Sequence, residues 1–546
     1  METTDLQTAN ASLKRQVAGA TGFLALSAFL SRALGYVRDA IISSKFGMTG
    51  QSDAYIQSFF IPDLLYQLLA GGALAAAFIP VFTNYLATGK EEDAWKVFSV
   101  VATILLPVVT FFVIAAEVLA VPLSYIAAPG FTQAQLLLVA RLTRIVLPAQ
   151  ICFFMGGLLM GVQNAHGRFF GQAVGPLIYN VGIIVGGLLL SNSVGIAGFS
   201  WGALAGALIG NLLLQIFLVK RLGVKYRPSL DVRHPGVIKV GKLLLPVVLG
   251  LSLPQLAVRI NRVFVSMLGE GRVLALNNAD RVTQAPLGVF AQSAGIALLP
   301  TLSAQAAVGD MNAFRSSVSL GIRSIVALTL PTSVFMAVLA VPIIRVMYQH
   351  GRFTAADTYV TAVALVFYSI GIVGWAAQAV IARAFYALHD TLTPVLTGTA
   401  MTVLLLASNW VMAGVLEPGG WSHGWIAFTS SVAAILQAVI LLAILRSRIG
   451  GVEGRLLAVS FAKVGIGCCV LALLSHLTYR ELTRFWPFPG VHGTLHTLLR
   501  VLASMLIGSV AYGYTIKWLR LDEARYVWSI FTGPFARRGK KGSVRP

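Results

Sequence analysis

Charge is what this sequence has least of. Asp, Glu, Lys and Arg make up 11% of its 546 residues, against roughly 25% in an ordinary soluble domain. So little charge cannot cover a water-facing surface, and a soluble globular domain with its own core is excluded. Cysteine is almost missing. Cys152, Cys468 and Cys469 lie inside apolar runs without metal-ligand spacing, so they read as buried thiols. The chain has no P-loop, no Gly-x-Ser-x-Gly and no metal-ligand cluster, and its eight His are scattered. No enzyme, no ATP and no other cofactor is indicated. Any uphill work would draw on an ion gradient or the membrane potential.

What is present is apolar length. The chain is 57% hydrophobic with a mean hydropathy of +0.80. Runs of about 20 apolar residues, the length that crosses a bilayer as a helix, recur along it. They are continuous rather than alternating, which excludes a membrane barrel. The fold class is therefore an all-α integral membrane protein of about 14 transmembrane helices. The apolar run after the polar first fifteen residues is too long for a cleaved signal peptide and is expected to stay as the first helix.

Apolar runs place helices near 16–45, 51–86, 92–125, 133–163, 168–190 and 195–219, then 238–268, 273–305, 311–347, 357–388, 392–416 and 422–446, then 456–478 and 496–519. The corresponding regions are an N-terminus (1–15), an N-lobe (16–219), a basic linker (220–237), a C-lobe (238–446), a final helix pair (456–519) and a basic tail (520–546). Base exceeds acid, 41 to 20. The excess is not gathered in a soluble module, so nucleic acid is not an expected partner. Lys220, Arg221, Lys225, Arg227, Arg233, Lys239 and Lys242 face one acid, Asp231. Arg446, Arg448 and Arg455, and the tail residues Arg537, Arg538, Lys540, Lys541 and Arg545, fall on the same side in an even helix count, whereas the loops 191–194 and 417–421 carry no Lys or Arg. The positive-inside rule then puts both termini in the cytoplasm, with the basic loops against anionic lipid.

The chain also repeats. Val-Leu-Ala-Val-Pro occurs at 118–122 and 338–342, Gly-Phe-Thr at 130–132 is echoed by Arg-Phe-Thr at 352–354, Pro80 by Pro300, and His166 by His389. Four echoes at offsets of 220–223, in matching places, argue for duplication of a six-helix unit. An even period makes the copies parallel, and two such lobes usually enclose a cavity open to each side in turn.

Charges within helices are costly in hydrocarbon and mark function, a partner or an interface. The first helix carries Arg32, Arg38 and Asp39 within eight residues. Arg32 and Asp39 share a face two turns apart, with Gly35 between them as a point of bending or close approach. Arg38 points about a third of a turn away. Interfacial snorkelling or a structural Arg–Asp pair is the alternative to a cationic cavity wall. The second helix has Pro62 and the small-residue run containing Gly71 and Gly72, suited to gating or tight packing. Arg281 follows Asp280 near the start of a run containing Pro286, and Arg141, Arg144, Arg259 and Arg262 are further cavity or snorkelling candidates. Several Arg forks would attract a pyrophosphate headgroup and repel cations, favouring an anionic lipid cargo over cationic drugs.

The stretch Ser31-Arg32-Ala33-Leu34-Gly35-Tyr36-Val37-Arg38-Asp39-Ala40 resembles the signature of the MurJ (MviN) family of lipid II flippases, in the MOP exporter superfamily. So do Asp53-Ala54-Tyr55, Ile61-Pro62-Asp63-Leu64-Leu65, Gly72-Ala73-Leu74 with Ala77-Phe78-Ile79-Pro80-Val81-Phe82, Ala128-Pro129-Gly130-Phe131, Ala279-Asp280-Arg281, and Phe385-Tyr386-Ala387 through Asp390 to Thr393-Pro394. The resemblance implies two six-helix lobes in a V, plus two extra helices forming a groove for a lipid tail. It implies a flippase that carries undecaprenyl-pyrophosphate-linked peptidoglycan precursor from the inner to the outer leaflet of the bacterial plasma membrane by alternating access. Arg32, Arg38 and Arg281, with Asp39 beside them, are the implied pyrophosphate residues. Two positions depart from the family. Tyr66 stands where many relatives have Arg, and Asn261 and the region of Asn409 are neutral where some members hold sodium through carboxylates. No sodium site is assigned, and a monomer is expected. The competing readings are a flippase for another undecaprenyl-pyrophosphate-linked oligosaccharide, a multidrug antiporter, and a non-transporting scaffold for cell-envelope assembly.

Overall fold

The computed structural model describes residues 2–67, 73–415, 422–485, 493–521 and 523, with side chains placed for all of these except 2–21, 73, 75–76, 245–259, 292–294, 296–297 and 413–415. Gly71 and Gly72 lie outside the described residues, and so does the side chain of Arg259. The described residues are helices joined by short turns and by one longer non-helical linker, 221–234, and the chain divides into two compact units. The first holds 1–274 with 350–352, and the second holds 275–349 with 353–546.

In the first unit, Glu2–Phe46 is followed by Gly50–Ser58, Phe60–Leu65 and Ala73–Ala87, then by Glu91–Val118, Ala120–Ala127, Gln133–Val146, Ala149–Ala165 and Phe170–Val194. Ala197–Gly206 passes through a π-helical turn, Ala207–Leu213, into Leu214–Lys220, and Pro235–Val265 follows the linker. The core is aromatic: Phe78, Phe82, Trp95, Phe98 and Phe154 interlock. Helices Phe170–Val194 and Ala197–Gly206 approach through glycine. A Cβ on Gly186 would stand 2.4 Å from the Cα of Gly202, so only hydrogen allows this crossing.

The second unit runs on from within Arg272–Ala307 to Met311–Val338, Ala340–Tyr348, Ala355–Ala387, Leu392–Val415, Ser422–Ile449, Gly454–Phe485 and Gly493–Trp518. Phe314, Ile322, Phe385, Leu441 and Leu445 fill its core. The final helix pair packs on Met311–Val338 through Phe335, Leu339, Leu471 and Val501, and the Tyr512 hydroxyl donates to the Ala327 carbonyl at 2.8 Å.

The repeat is visible helix by helix. Glu91–Val118 breaks at Leu119 before Ala120–Ala127, and Met311–Val338 breaks at Leu339 before Ala340–Tyr348. The cause is the same in both. Pro122 and Pro342 have no N–H for the carbonyls of Val118 and Val338, four residues back. Thr132 and Thr354 each close a capping box, with Gln135 and Asp357, at the start of the next helix.

Among the described residues, ten helical segments are long and apolar enough to cross a membrane, which makes this a multi-pass membrane protein. These ten occupy the third to sixth and ninth to fourteenth expected positions. The remaining four positions are occupied by Glu2–Phe46, by the interrupted segment ending in Ala73–Ala87, by Pro235–Val265 and by Arg272–Ala307. One cysteine corrects the sequence reading. Cys152 and Cys468 are buried, but Cys469 is exposed. A helix turns about 100° per residue, so it cannot share the inward face of its neighbour.

Candidate functional site

The charged stretch of Glu2–Phe46 packs against Phe170–Val194 along a polar seam. Ser27, Ser31 and Arg38 are spaced by four and seven residues, which puts them on one helical stripe. Ser27 Oγ donates to the Ala173 carbonyl. Asn180, seven residues beyond Ala173, is buried and does the most. Its Nδ2 donates to Ser31 Oγ at 3.2 Å and to the Pro176 carbonyl at 3.0 Å. Its Oδ1 accepts from Arg38 Nη1 at 3.2 Å. The other edge of the guanidinium meets Asp39, with Nε donating to Oδ1 at 2.8 Å and Nη2 also 2.8 Å away. Arg38 is thus held between a carboxylate and an amide oxygen. A guanidinium has more N–H donors than these partners use, and the rest can serve a ligand.

The other expected residues are distributed as follows. Arg32 is exposed on the same helix. Gly35 has open space around it, since an added Cβ would meet nothing within 4 Å, and the helix runs through it unbroken. Gly35 therefore marks no close approach here, because no neighbouring backbone reaches it. Pro62 is buried in the one-turn helix Phe60–Leu65. Tyr66 is 39% exposed, and its ring meets Phe153 edge-on at 5.6 Å, which in turn meets Tyr179 at 5.1 Å. In the second unit, Arg281 is exposed on Arg272–Ala307. Arg144 has a structural partner, since its Nε donates to the Glu117 carbonyl at 3.0 Å, near the break at Leu119. Asn409 is buried and its Oδ1 accepts from Thr429 at 2.8 Å. No group of three or more His, Cys, Asp or Glu able to hold a metal occurs among the described residues.

Sequence reasoning missed Asn180 and Asp53. Asn180 sits in an apolar run, and its use appears only when its helix meets the first. Asp53 is fully buried and receives the N–H groups of Gly271, at 2.5 Å, and Leu274, at 2.8 Å. It therefore caps, from 218 residues away, the N-terminus of the helix carrying Arg281. A carboxylate there satisfies orphan donors and complements the helix dipole. The motif Asp53-Ala54-Tyr55 was the available signal, but nothing local says which helix it caps.

Two repeated helical lobes, an added helix pair and a partly buried Arg–Asp–Asn seam define a multi-pass α-helical membrane protein built on an internal repeat. Solved structures agree on the fold. A lipid II flippase MurJ in an inward closed conformation superimposes with a TM-score of 0.73 at 22% identity, covering 91% of this chain and 99% of that one. A multidrug resistance MATE family transporter of the MOP superfamily gives 0.63 at 16% identity, covering 78% and 96%. The family model described as lipid II flippase MurJ matches residues 42–492. The chain belongs to the MurJ lipid II flippase family. Among curated relatives, a probable lipid II flippase MurJ of Buchnera aphidicola is 29% identical over 426 residues, 77% of this chain and 81% of its own. A lipid II flippase MurJ of Burkholderia cenocepacia is 27% identical over 428 residues, 77% and 82%. These relatives are transporters, as the absence of catalytic motifs led us to expect. The family match begins after Arg32, Arg38 and Asp39, so the case for those residues rests on their own geometry.

Proposed function

We propose that this protein moves lipid II from the inner to the outer leaflet of a bacterial plasma membrane by alternating access. Family membership supports the cargo. The observation that carries the mechanism is the Arg38 seam: an arginine fixed by Asn180 and Asp39 with donors left for a ligand. In this reading Arg32 and Arg38 of the first unit bind the pyrophosphate, whose oxygens match the planar fork, and Arg281 of the second unit supplies further cationic charge for the same cargo. Asp39 orients Arg38 and tempers its charge, so that the cargo is held and also released. Tyr66, in place of the common family Arg, offers an exposed ring to the sugar or the lipid. Pro62 gives the second helix a point of compliance, and the final pair, Gly454–Phe485 and Gly493–Trp518, holds the polyprenyl tail. Both termini are cytoplasmic, the protein works as a monomer, and the membrane potential or an ion gradient drives the cycle without ATP, with no sodium site assigned.

The test is depletion in a cell with no redundant flippase, followed by measurement of lipid II in the outer leaflet. A fall in outer-leaflet lipid II supports the proposal. Unchanged levels sink it, and loss of a different lipid-linked oligosaccharide instead would transfer the mechanism to that cargo. Arg38→Ala and Arg281→Ala should fail to complement while reaching the membrane, and full complementation by both removes the cationic site.

A further inference from the structure

The basic segment between the repeats is fastened to the first lobe by its polar atoms, and its large apolar side chains are left facing outward. Lys96 Nζ lies 2.7 Å from Asp231, Lys225 Nζ 3.9 Å from Glu91, and His234 Nε2 3.5 Å from Asp93. The Arg227 N–H donates to Ser99 Oγ at 3.1 Å, and the Tyr226 hydroxyl meets Thr103 Oγ1 at 3.1 Å. His234 Nδ1 accepts from the Gly236 N–H at 3.2 Å and so caps Pro235–Val265. Five attachments therefore fix residues 225–234 to the first turns of Glu91–Val118, itself a membrane-crossing helix. The Lys96 ammonium donates to the Asp231 carboxylate and holds it below the usual carboxylate range.

Leu230 is 73% exposed, Val232 57% and Tyr226 47%. A single exposed Leu needs no explanation. Here three such side chains, with Ile238 beyond them, alternate with exposed Arg227, Arg233, Lys239 and Lys242. The segment cannot swing these groups inward, because its polar atoms are already bound. Water would disfavour the apolar set, and a hydrocarbon core would disfavour the basic set. A headgroup boundary accepts both.

We propose that residues 226–242 form a binding site for anionic phospholipid of the cytoplasmic leaflet. Leu230, Val232 and Ile238 enter the acyl region, Tyr226 stays at the boundary with its hydroxyl on Thr103, and Arg227, Arg233, Lys239 and Lys242 hold the phosphates. This site is independent of the cargo and of the Arg38 seam.

The full-length protein in mild detergent is offered equal phosphatidylglycerol and phosphatidylcholine, and retained lipid is read by mass spectrometry. The wild type should retain phosphatidylglycerol preferentially. Each change of Arg227, Arg233, Lys239 or Lys242 to Gln should lower that preference about 5-fold, the equivalent of ~1 kcal/mol per basic residue at an anionic surface. In a background with Cys152, Cys468 and Cys469 replaced by Ala, a spin label on Leu230→Cys is then read in phosphatidylglycerol-containing vesicles. It should collide with oxygen more than with a water-soluble nickel complex. Unchanged lipid preference in the quadruple Gln variant, or a label at 230 open to nickel, overturns the proposal.

Discussion

Asn180 separates orientation of Arg38 from the charge around it. Replacement by Ala removes the oxygen facing Arg38 Nη1 and the donor to Ser31 Oγ. A hydrogen bond to a charged group is worth about 1.5–3 kcal/mol net, so Asn180→Ala should destabilise the protein and loosen the guanidinium together. Asn180→Asp acts differently. It keeps an oxygen 3.2 Å from Arg38 but sets an acceptor against the Pro176 carbonyl in place of the Nδ2 donor and places a second carboxylate beside Asp39, so some stability is lost here too. The field felt by an anionic ligand should collapse. Two unit charges ~6 Å apart repel by about 3 kcal/mol at an effective dielectric near 20, on the order of a 100-fold loss of affinity. The assay is binding of undecaprenyl pyrophosphate to purified protein in nanodiscs, with thermal unfolding measured on the same samples. Asn180→Asp should lose far more binding than its loss of stability accounts for, whereas in Asn180→Ala the two should fall together. Wild-type binding by a folded Asn180→Asp variant would refute the assignment of Arg38 to the pyrophosphate. Loss of binding only in proportion to loss of stability, in both variants, would reduce Asn180 to a packing residue.

Other perturbations follow from the same geometry. Asp53→Ala removes the cap from the helix beginning at Arg272 and strands two buried N–H groups, so the unfolding midpoint in detergent should fall by the equivalent of ~2 kcal/mol, while Asp53→Asn, retaining one acceptor oxygen, should fall less. Tyr66→Arg adds a cation at a 39% exposed position. It should tighten undecaprenyl pyrophosphate binding and steepen its salt dependence, and an unchanged affinity would separate Tyr66 from the anionic site. Asp390 lies between helices, and hydrogen bonds from Thr393, with the Arg448 guanidinium beside it, hold its carboxyl below the usual carboxylate range. A lowered folded-state value means stability that is present above the unfolded value of about 4 and lost as the pH falls below it. Acid-unfolding curves should therefore show a stabilising contribution at neutral pH that disappears below about pH 4 and is absent in Asp390→Asn.

What the sequence reveals and what it hides divide along chain distance. The apolar runs are legible because the bilayer sets their length. The break at Leu119 and its echo at Leu339 have a local cause, a proline four residues after the orphaned carbonyl, yet the apolar runs 92–125 and 311–347 pass straight across them, so the sequence shows the repeated Val-Leu-Ala-Val-Pro and not the interruption. The capping boxes at Thr132 and Thr354 are equally local but lie in loops where apolar length carries no signal. The site is different. Arg38 and Asp39 announce themselves because charge in a membrane helix is rare, but their partner Asn180 is 142 positions away from Arg38 and chemically quiet. Asp53 and the helix it caps are further apart still. Gly35 shows the converse error, for a small residue between charges suggests a contact that only the neighbouring backbone can grant, and none comes within reach. Local chemistry thus names the residue that bears the charge. Which residue holds it in place is decided by helix pairing, and helix pairing in this lobe depends on glycine contacts such as Gly186 with Gly202, which make a crossing possible without specifying what sits beside it. The second half of a membrane site is therefore best sought one heptad along whichever helix packs against the charged one, as Asn180 stands to Ala173.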